Sequence, residues 1–339
     1  MKYKVAVIGA TGNVGREILE ILETRKFPIK ELFSLASKKS AGKKVRFGRG
    51  KVTTIQNLAS FNFENVDLVL SSAGAKISKI FVPKATAKGS VVIDNTSYFR
   101  MEKDVPLVIP EVNPEAIINY KKRNIIANPN CSTIQMVLAL KPLHEIAKIK
   151  RVVVSTYQST SGAGKKIMDE LSSETKLLNQ NTSMRRKFLT KPIAFNVIPH
   201  IDIFMKNGST KEEWKMEVET KKILDPSIKI SATCVRVPVF VGHAESLNIE
   251  FKKNISENKA RKILNEFPGI SVIDRRSDGG YITPKESHGT DLVYVSRIRK
   301  DATLKNTLSL WIVADNLRKG AALNTVQIAE KLISSYLRR

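Results

Sequence analysis

The sequence predicts an α/β chain in two parts: an N-terminal doubly wound parallel sheet, and an inserted α+β domain with a mostly antiparallel sheet. Two observations carry this prediction. Up to residue 130, short apolar runs alternate with helical stretches, the order that builds parallel strands joined by crossover helices. From about Lys150 the texture becomes β-rich with period-two alternation, which marks strands with one solvated face. The length of 339 residues agrees, because a chain of that size divides into about two domains.

Residues 4–8 (Lys-Val-Ala-Val-Ile) read as a buried strand, and 14–25 as a helix with Val14, Ile18, Ile21 and Leu22 on one side. Further strands are expected at 32–36, 66–70, 91–94, 107–109 and 125–126. Asn-Pro-Asn at 128–130 breaks the last of these. A helix follows from Ser132, with Ile134, Val137, Leu138 and Leu140 at helical spacing. In the second half, strands are expected at 151–158, 230–239, 245–251, 292–298 and 308–314, and helices at 165–179 and 210–224. A last helix, 321–337, is expected to pack back onto the first domain. The expected division is 1–130 plus 315–339 for nucleotide binding, and 131–314 for catalysis and dimerisation.

Composition narrows the class. Hydrophobic residues make up 42% and charged residues 26%, as in ordinary globular proteins. Two cysteines, Cys131 and Cys234, fit a reducing compartment. No stretch has the length of a membrane span, and the N-terminus lacks a secretory cleavage pattern, so a cytoplasmic protein without membrane partners is expected. The net charge of +25 raises a nucleic-acid reading. The basic residues are scattered, however, in short runs at 38–39, 43–44, 121–123, 185–187, 252–253 and 338–339, without a basic helix bearing aromatics. That is a solvated surface, so no nucleic-acid partner is expected; such a surface also steers small anions.

The segment Gly9-Ala-Thr-Gly-Asn-Val-Gly15 follows the first strand and opens the first helix. Gly9, Gly12 and Gly15 allow a tight turn, close backbone approach to a pyrophosphate and close helix packing, the Rossmann-type arrangement. Thr11, Asn13 and Val14 complete the loop at the helix N-terminus, where phosphates bind. An NAD site places an acid after the second strand. Here Ser37, Lys38, Lys39 and Ser40 stand instead, which suits a 2′-phosphate, so NADP(H) is the expected cofactor. No metal site is expected.

Cys131 lies between a strand end and a helix start, near the positive end of the helix dipole. That setting favours a nucleophilic thiolate, although a free cysteine is as readily a small core residue. Beyond it stand Tyr157-Gln-Ser-Thr-Ser-Gly-Ala-Gly-Lys165 and Cys234-Val-Arg-Val-Pro-Val-Phe-Val-Gly-His243. With Asn-Cys131-Ser-Thr, these closely resemble the aspartate-β-semialdehyde dehydrogenases. The resemblance runs in order from the Gly9 loop to residues 315–324, essentially the whole chain.

The resemblance implies roles at matching positions. Cys131 matches the nucleophile that carries a thioester, with Asn130 beside it. His243 matches the acid/base, and Gln158 the residue that orients the intermediate. Arg236 matches the clamp on the substrate carboxylate, a task suited to a planar guanidinium. Arg100 and Lys215 match the phosphate site, and Glu212 the partner of the substrate ammonium. Ser161, Gly162 and Asn316 match cofactor contacts near the nicotinamide. Lys39 stands where many members have arginine, keeping the charge without the fork geometry.

The implied reaction is reductive dephosphorylation of L-4-aspartyl phosphate to L-aspartate 4-semialdehyde with NADPH. It lies on the route to lysine, threonine and methionine, in a homodimer or homotetramer. Cys234 reads as core, and His144, His200 and His288 as structural or surface residues. An N-acetyl-γ-glutamyl-phosphate reductase is the alternative enzyme, but its nucleophile segment differs, and an acetylated amine has no use for Glu212. A catalytically silent basic NADP-binding regulator or nucleic-acid binder is the non-enzymatic alternative; retention of Cys131, Gln158, Arg236 and His243 together argues against it.

Overall fold

A computed structural model describes residues 1–48, 50–180 and 188–337. The basic runs at 185–187 and 338–339 lie outside the described residues. The chain forms two compact units, Met1–Asn130 with the chain from Ala321 onward, and Cys131–Gly320.

The first unit holds β1 (Tyr3–Ile8), α1 (Asn13–Thr24), β2 (Ile29–Ala36), β3 (Lys44–Arg46), β4 (Val52–Asn57), β5 (Leu68–Ser71), α2 (Ala75–Ala87), β6 (Val91–Asp94) and β7 (Ile125–Ala127). Its seven-stranded sheet runs β3-β4-β2-β1-β5-β6-β7. All neighbours pair in parallel except β3 and β4, which pair antiparallel at one edge. Every residue of β5, β6 and β7 is buried, as expected of strands covered on both faces. The strand order reverses at β1, between β2 and β5, so the Gly9 turn leaves the sheet at its topological switch point.

Residues 107–109 are not a strand, contrary to expectation. Only Leu107 bridges to Ala127. The Ile109 N–H donates to the Asn113 side chain, and Asn113 Nδ2 donates to the Leu107 carbonyl. Pro106 and Pro110 flank the run, so backbone pairing is confined to the bonds between Val108 N–H and Ala127 and between Ala127 N–H and Pro106, and side-chain bonds serve the next groups.

The second unit begins with α3 (Cys131–Ala147) and continues through β8 (Ile149–Gln158), α4 (Lys165–Asn179), α5 (Lys211–Ile223), β9 (Lys229–Arg236), β10 (His243–Phe251), α6 (Glu257–Glu266), β11 (Ile270–Val272), α7 (Pro284–Ser287), β12 (Val293–Lys300) and β13 (Thr307–Ala314). Its sheet runs β11-β12-β13-β10-β8-β9. The three central pairings are antiparallel, and the two edge pairings, β11 with β12 and β8 with β9, are parallel. One face, carrying Val154, Thr156, Glu245, Leu247, Leu310 and Ile312, is buried. β9 stops at Arg236 rather than at 239, two residues before Pro238.

The chain returns to the first unit in α8 (Leu323–Ser335), which packs on α1 and joins the core of Ile18, Leu22, Leu70 and Ile93. The return falls at Ala321, six residues beyond the expected 315. Residues 315–320 stay with the second unit because Asn316 bonds to Ser159, Ser161 and Gly242 there.

Candidate active site and nucleotide cleft

In the first unit, the turn after β1 is built by glycines. Gly9 has φ +85°, a left-handed conformation that strains any other residue. A Cβ on Gly15 would lie 2.1 Å from the Gly9 carbonyl oxygen, so α1 packs directly on the turn. Gly12 caps α1 and donates its N–H to Gly9 at 2.9 Å. The N-terminus of α1 thus opens on a cleft of about 540 Å³. Gly9, Thr11, Gly12, Ser37 and Lys38 line its polar side, Leu58, Ile77 and Phe81 its apolar side, and no acid is among the lining residues.

Asn13 and Val14 begin α1, but the Val14 side chain packs on the core, which leaves only its backbone for a ligand. Ser37 and Lys38 line the cleft, whereas Lys39 and Ser40 share the same short turn without lining it. The apolar wall from α2 was missed, because nothing in the local pattern distinguishes Ile77 and Phe81 from core residues.

Arg100 is buried in the first unit. Its Nε donates to the Asn128 carbonyl at 2.9 Å and its Nη2 to the Asn95 carbonyl at 2.8 Å. These bonds aim the guanidinium from two backbone anchors. Asn130, also buried, is the last residue of this unit.

In the second unit, the site is assembled at one edge of the sheet. Gln158 ends β8, Arg236 ends β9 in the same register, and His243 opens the antiparallel β10. Three neighbouring strand ends therefore deliver an amide, a guanidinium and an imidazole together. Cys131, half-buried, is the first residue of α3, where the helix dipole favours negative charge. A Cβ on Gly320 would lie 3.0 Å from the Cys131 Cβ, so the chain passes close to the start of α3 only because residue 320 is glycine.

Arg236 is buried, and its Nη1 donates to the Ser159 carbonyl at 2.7 Å. Burial works against its charge, whereas Glu212 and Cys131 favour it. A Cβ on Gly162 would lie 3.0 Å from His243 Nε2 and 3.3 Å from Arg236 Nη1, so the backbone packs closely on both groups only because residue 162 is glycine. Gln158 Nε2 donates to Glu212 Oε1 at 3.2 Å. Lys215 Nζ bridges Glu212 at 3.0 Å and Asp202 at 2.7 Å. Burial works to lower the Lys215 pKa, but Glu212 and Asp202 outweigh it and raise it, so the ammonium stays charged. The capping box of Thr210 and Glu213 fixes the start of α5, which places Glu212 and Lys215 on one helix face.

Asn316 Oδ1 accepts from Gly242 N at 2.9 Å and from the hydroxyls of Ser159 and Ser161 at 3.1 Å, and Asn316 Nδ2 donates to Ser161 at 2.9 Å. Two residues here were missed, Ser159 and Asp202. Ser159 works through backbone groups that every residue carries, and Asp202 lies in a loop 13 residues before its partner Lys215. Cys234 is core: its thiol sits 3.7 Å from Met216 Sδ, and burial drives its pKa beyond the ordinary thiol range. Among the described residues, no group of three or more His, Cys, Asp or Glu side chains is arranged for a metal, and no helix is long and apolar enough to cross a membrane.

Residues 4–120 match the family described as semialdehyde dehydrogenase, NAD binding domain, and residues 140–319 match semialdehyde dehydrogenase, dimerisation domain. The aspartate-semialdehyde dehydrogenase of Aquifex aeolicus (strain VF5) is 52% identical over 99% of this chain and all of that protein. Among solved structures, aspartate semialdehyde dehydrogenase II of Vibrio cholerae complexed with ASA is 48% identical, with a TM-score of 0.97 over 99% of this chain and 100% of that one. The Candida albicans aspartate semialdehyde dehydrogenase with NADP is 27% identical, with a TM-score of 0.76 over 98% of this chain and 99% of that one.

Proposed function

This chain belongs to the aspartate-semialdehyde dehydrogenase family, and from that premise we infer that it reduces L-4-aspartyl phosphate to L-aspartate 4-semialdehyde with release of phosphate. The observation that carries the reading is the convergence of Gln158, Arg236 and His243 on one sheet edge, in the compact unit that starts with Cys131.

NADP(H) is the cofactor we assign. The cleft fits it: glycines admit the pyrophosphate to the α1 N-terminus, no acid opposes a 2′-phosphate, and Ser37 and Lys38 stand ready to receive one. Leu58, Ile77 and Phe81 offer the adenine an apolar wall. When bound, the nicotinamide supplies a hydride to the acyl carbon.

The residues do the rest. The Cys131 thiolate forms a C–S bond to the acyl carbon, and the C–O bond to phosphate breaks with its electron pair leaving on phosphate. Arg236 holds the substrate α-carboxylate, and Glu212 faces its ammonium. Arg100 and Lys215 bind the phosphoryl group, which takes the place of Asp202 beside Lys215. Gln158, anchored to Glu212, orients the thioester. After reduction the C–S pair returns to sulfur, the carbonyl reforms, and Cys131 is regenerated as thiolate.

We place the enzyme in the cytoplasm as a homodimer. The exposed sheet face carrying Ser155, Tyr157, Ser246 and Trp311 is the surface we assign to the second copy; its Tyr157 and Trp311 rings lie 5.5 Å apart. Light scattering giving a monomer mass would remove this assignment.

The test is direct. Purified protein given aspartate semialdehyde, phosphate and NADP⁺ is expected to produce NADPH, and NAD⁺ to serve less well. Cys131→Ala is expected to abolish the signal. No NADPH from the unaltered protein, or equal rates from Cys131→Ala, would refute the reading.

A further inference from the structure

Resting on that reading, we propose that Glu245 and Gln135 are positioning residues: a buried acid–amide pair that ties the first turns of α3, which carries Cys131, to the start of β10, which carries His243. Neither side chain takes part in a bond-making step. The pair keeps the nucleophile in register with the histidine that matches the family's acid/base.

The two residues are well placed for this. Gln135 stands four residues after Cys131, so both lie on one side of α3. Glu245 stands two residues after His243, so both side chains leave β10 on the same face. α3 packs on that strand. Gln135 Nε2 donates to the His243 carbonyl at 3.4 Å, a direct link from the nucleophile's helix to the backbone of the histidine. Gln135 and Glu245 are both fully buried.

A count of donors shows what this spot requires. Gln135 Oε1 and both carboxyl oxygens of Glu245 are buried without a hydrogen-bond partner among the described residues. Gln135 is the side chain whose hydrogen bonding bears on the Glu245 carboxyl. A carboxylate would bring acceptors only, while the amide has a single N–H left to give. A carboxylic acid brings one O–H and one carbonyl oxygen, the complement of the amide's carbonyl oxygen and spare N–H. The last torsion of a glutamate is soft, so the carboxyl is free to align with the amide.

The surroundings favour the uncharged acid. Burial works against a charge on Glu245, and no cation is among the groups that bear on it. Its neighbours across the sheet are Thr156 on β8 and Ile312 on β13, and α3 supplies Gln135. The titratable groups close by are His243 on the same strand and Cys234, beside Thr156 on β9. Burial lowers the His243 pKa and raises that of Cys234, so both are uncharged at neutral pH and neither offsets a carboxylate.

The acid O–H also fixes which way the amide faces. With Oε1 held by Glu245, Nε2 stays on the His243 carbonyl. Without that donor, Oε1 is left unpaired in the core and the link between α3 and β10 weakens. A shift of about 1 Å between reacting groups costs about 10²-fold in rate.

The test uses the full-length protein labelled with ¹³C-glutamate. Its infrared spectrum from pH 6 to 8 is expected to hold an isotope-shifted carboxylic-acid C=O band that is lost in Glu245→Gln and displaced in Gln135→Leu. No such band at pH 7, or one that Gln135→Leu leaves in place, would overturn the proposal. In turnover, Glu245→Leu and Gln135→Leu are each expected to lower kcat by up to about 10²-fold, with KM for aldehyde and phosphate unchanged. Unchanged kcat, or a loss confined to KM, would refute the positioning role. Glu245→Gln supplies an N–H in place of the O–H and is expected to restore most of the kcat lost in Glu245→Leu; equal losses would refute the donor. The double Leu variant is expected to be no slower than the slower single one, and multiplied losses would mark two independent residues. The infrared band is read on the unaltered fold without substrate, so its failure is distinct from failure of the assigned reaction.

Discussion

Arg236→Lys isolates what the guanidinium does. Arg236 is buried, with one nitrogen committed to the Ser159 carbonyl at 2.7 Å. Its planar fork leaves the remaining N–H groups to meet a carboxylate while that anchor holds. A lysine ammonium at the end of a shorter, flexible stem keeps the charge but serves one of these partners well, not both. The change therefore removes about one hydrogen bond to a charged group, worth about 1.5–3 kcal/mol. At 1.4 kcal/mol per tenfold, KM for aspartate semialdehyde is expected to rise roughly ten- to a hundredfold. A smaller fall in kcat is expected, because the Ser159 carbonyl loses its anchor and the turn beside His243 loosens. Initial rates of NADPH formation over a range of aldehyde concentrations, at saturating NADP⁺ and phosphate, separate the two constants. Unchanged KM and kcat would remove Arg236 from the carboxylate role. A kcat effect alone would restrict it to holding the turn.

Gly15→Ala tests the nucleotide cleft: its Cβ would press on the Gly9 carbonyl oxygen at 2.1 Å, so α1 must move from the turn. Overpacking of this kind costs about 1–3 kcal/mol, and KM for NADP⁺ is expected to rise in the same assay; unaltered cofactor affinity would refute the cradle. Glu245→Gln tests a group the mechanism does not use. Glu245 is fully buried on β10, neither carboxyl oxygen meets a partner in hydrogen-bond geometry among the described residues, and burial raises its pKa well above 4.5 against the opposing influence of nearby Gln135. The folded protein keeps this proton while the unfolded chain loses it above about pH 4.5, so the group's contribution is fully present below that pH and is lost as pH rises toward the folded pKa. The slope is at most about 1.4 kcal/mol per pH unit. Urea denaturation is expected to find Glu245→Gln increasingly more stable than the parent from pH 5 to pH 8, and parallel profiles would refute the buried neutral acid.

How much of the fold was legible follows from which forces shape each element. β1, β5 and β6 are nearly all apolar and buried, and α1 buries Ile18, Leu19, Ile21 and Leu22, so hydrophobic periodicity reports them directly. The β3–β4 hairpin does not report itself. Its strands are mostly polar, and only Val45 and Ile55 are buried, because an exposed antiparallel edge needs little apolar contact. α6 was missed for a related reason: it buries only Ala260 and Leu264, and its Ser256 cap is the main local signal. The false strand at 107–109 is the converse case. Its side chains are apolar and buried, but backbone pairing with β7 is confined to one bridge at Leu107, and the Asn113 side chain takes the Ile109 N–H and the Leu107 carbonyl.

The site divides along a different line. A residue whose work needs a particular side chain leaves a mark in the sequence: a thiol at a helix start, an arginine among apolar residues at a strand end, an imidazole at a strand start. Cys131, Arg236 and His243 are legible for that reason. Residues that support them leave no such mark. Ser159 acts on His243 and Arg236 through its own N–H and C=O, groups common to the chain, and its selection is a matter of where β8 ends. Gly162 and Gly320 act by lacking a Cβ, and what each makes room for is visible only once the neighbouring elements are in place. Substitutions at Ser159 that keep the path of the chain after β8 therefore keep its N–H on His243 and its carbonyl on Arg236.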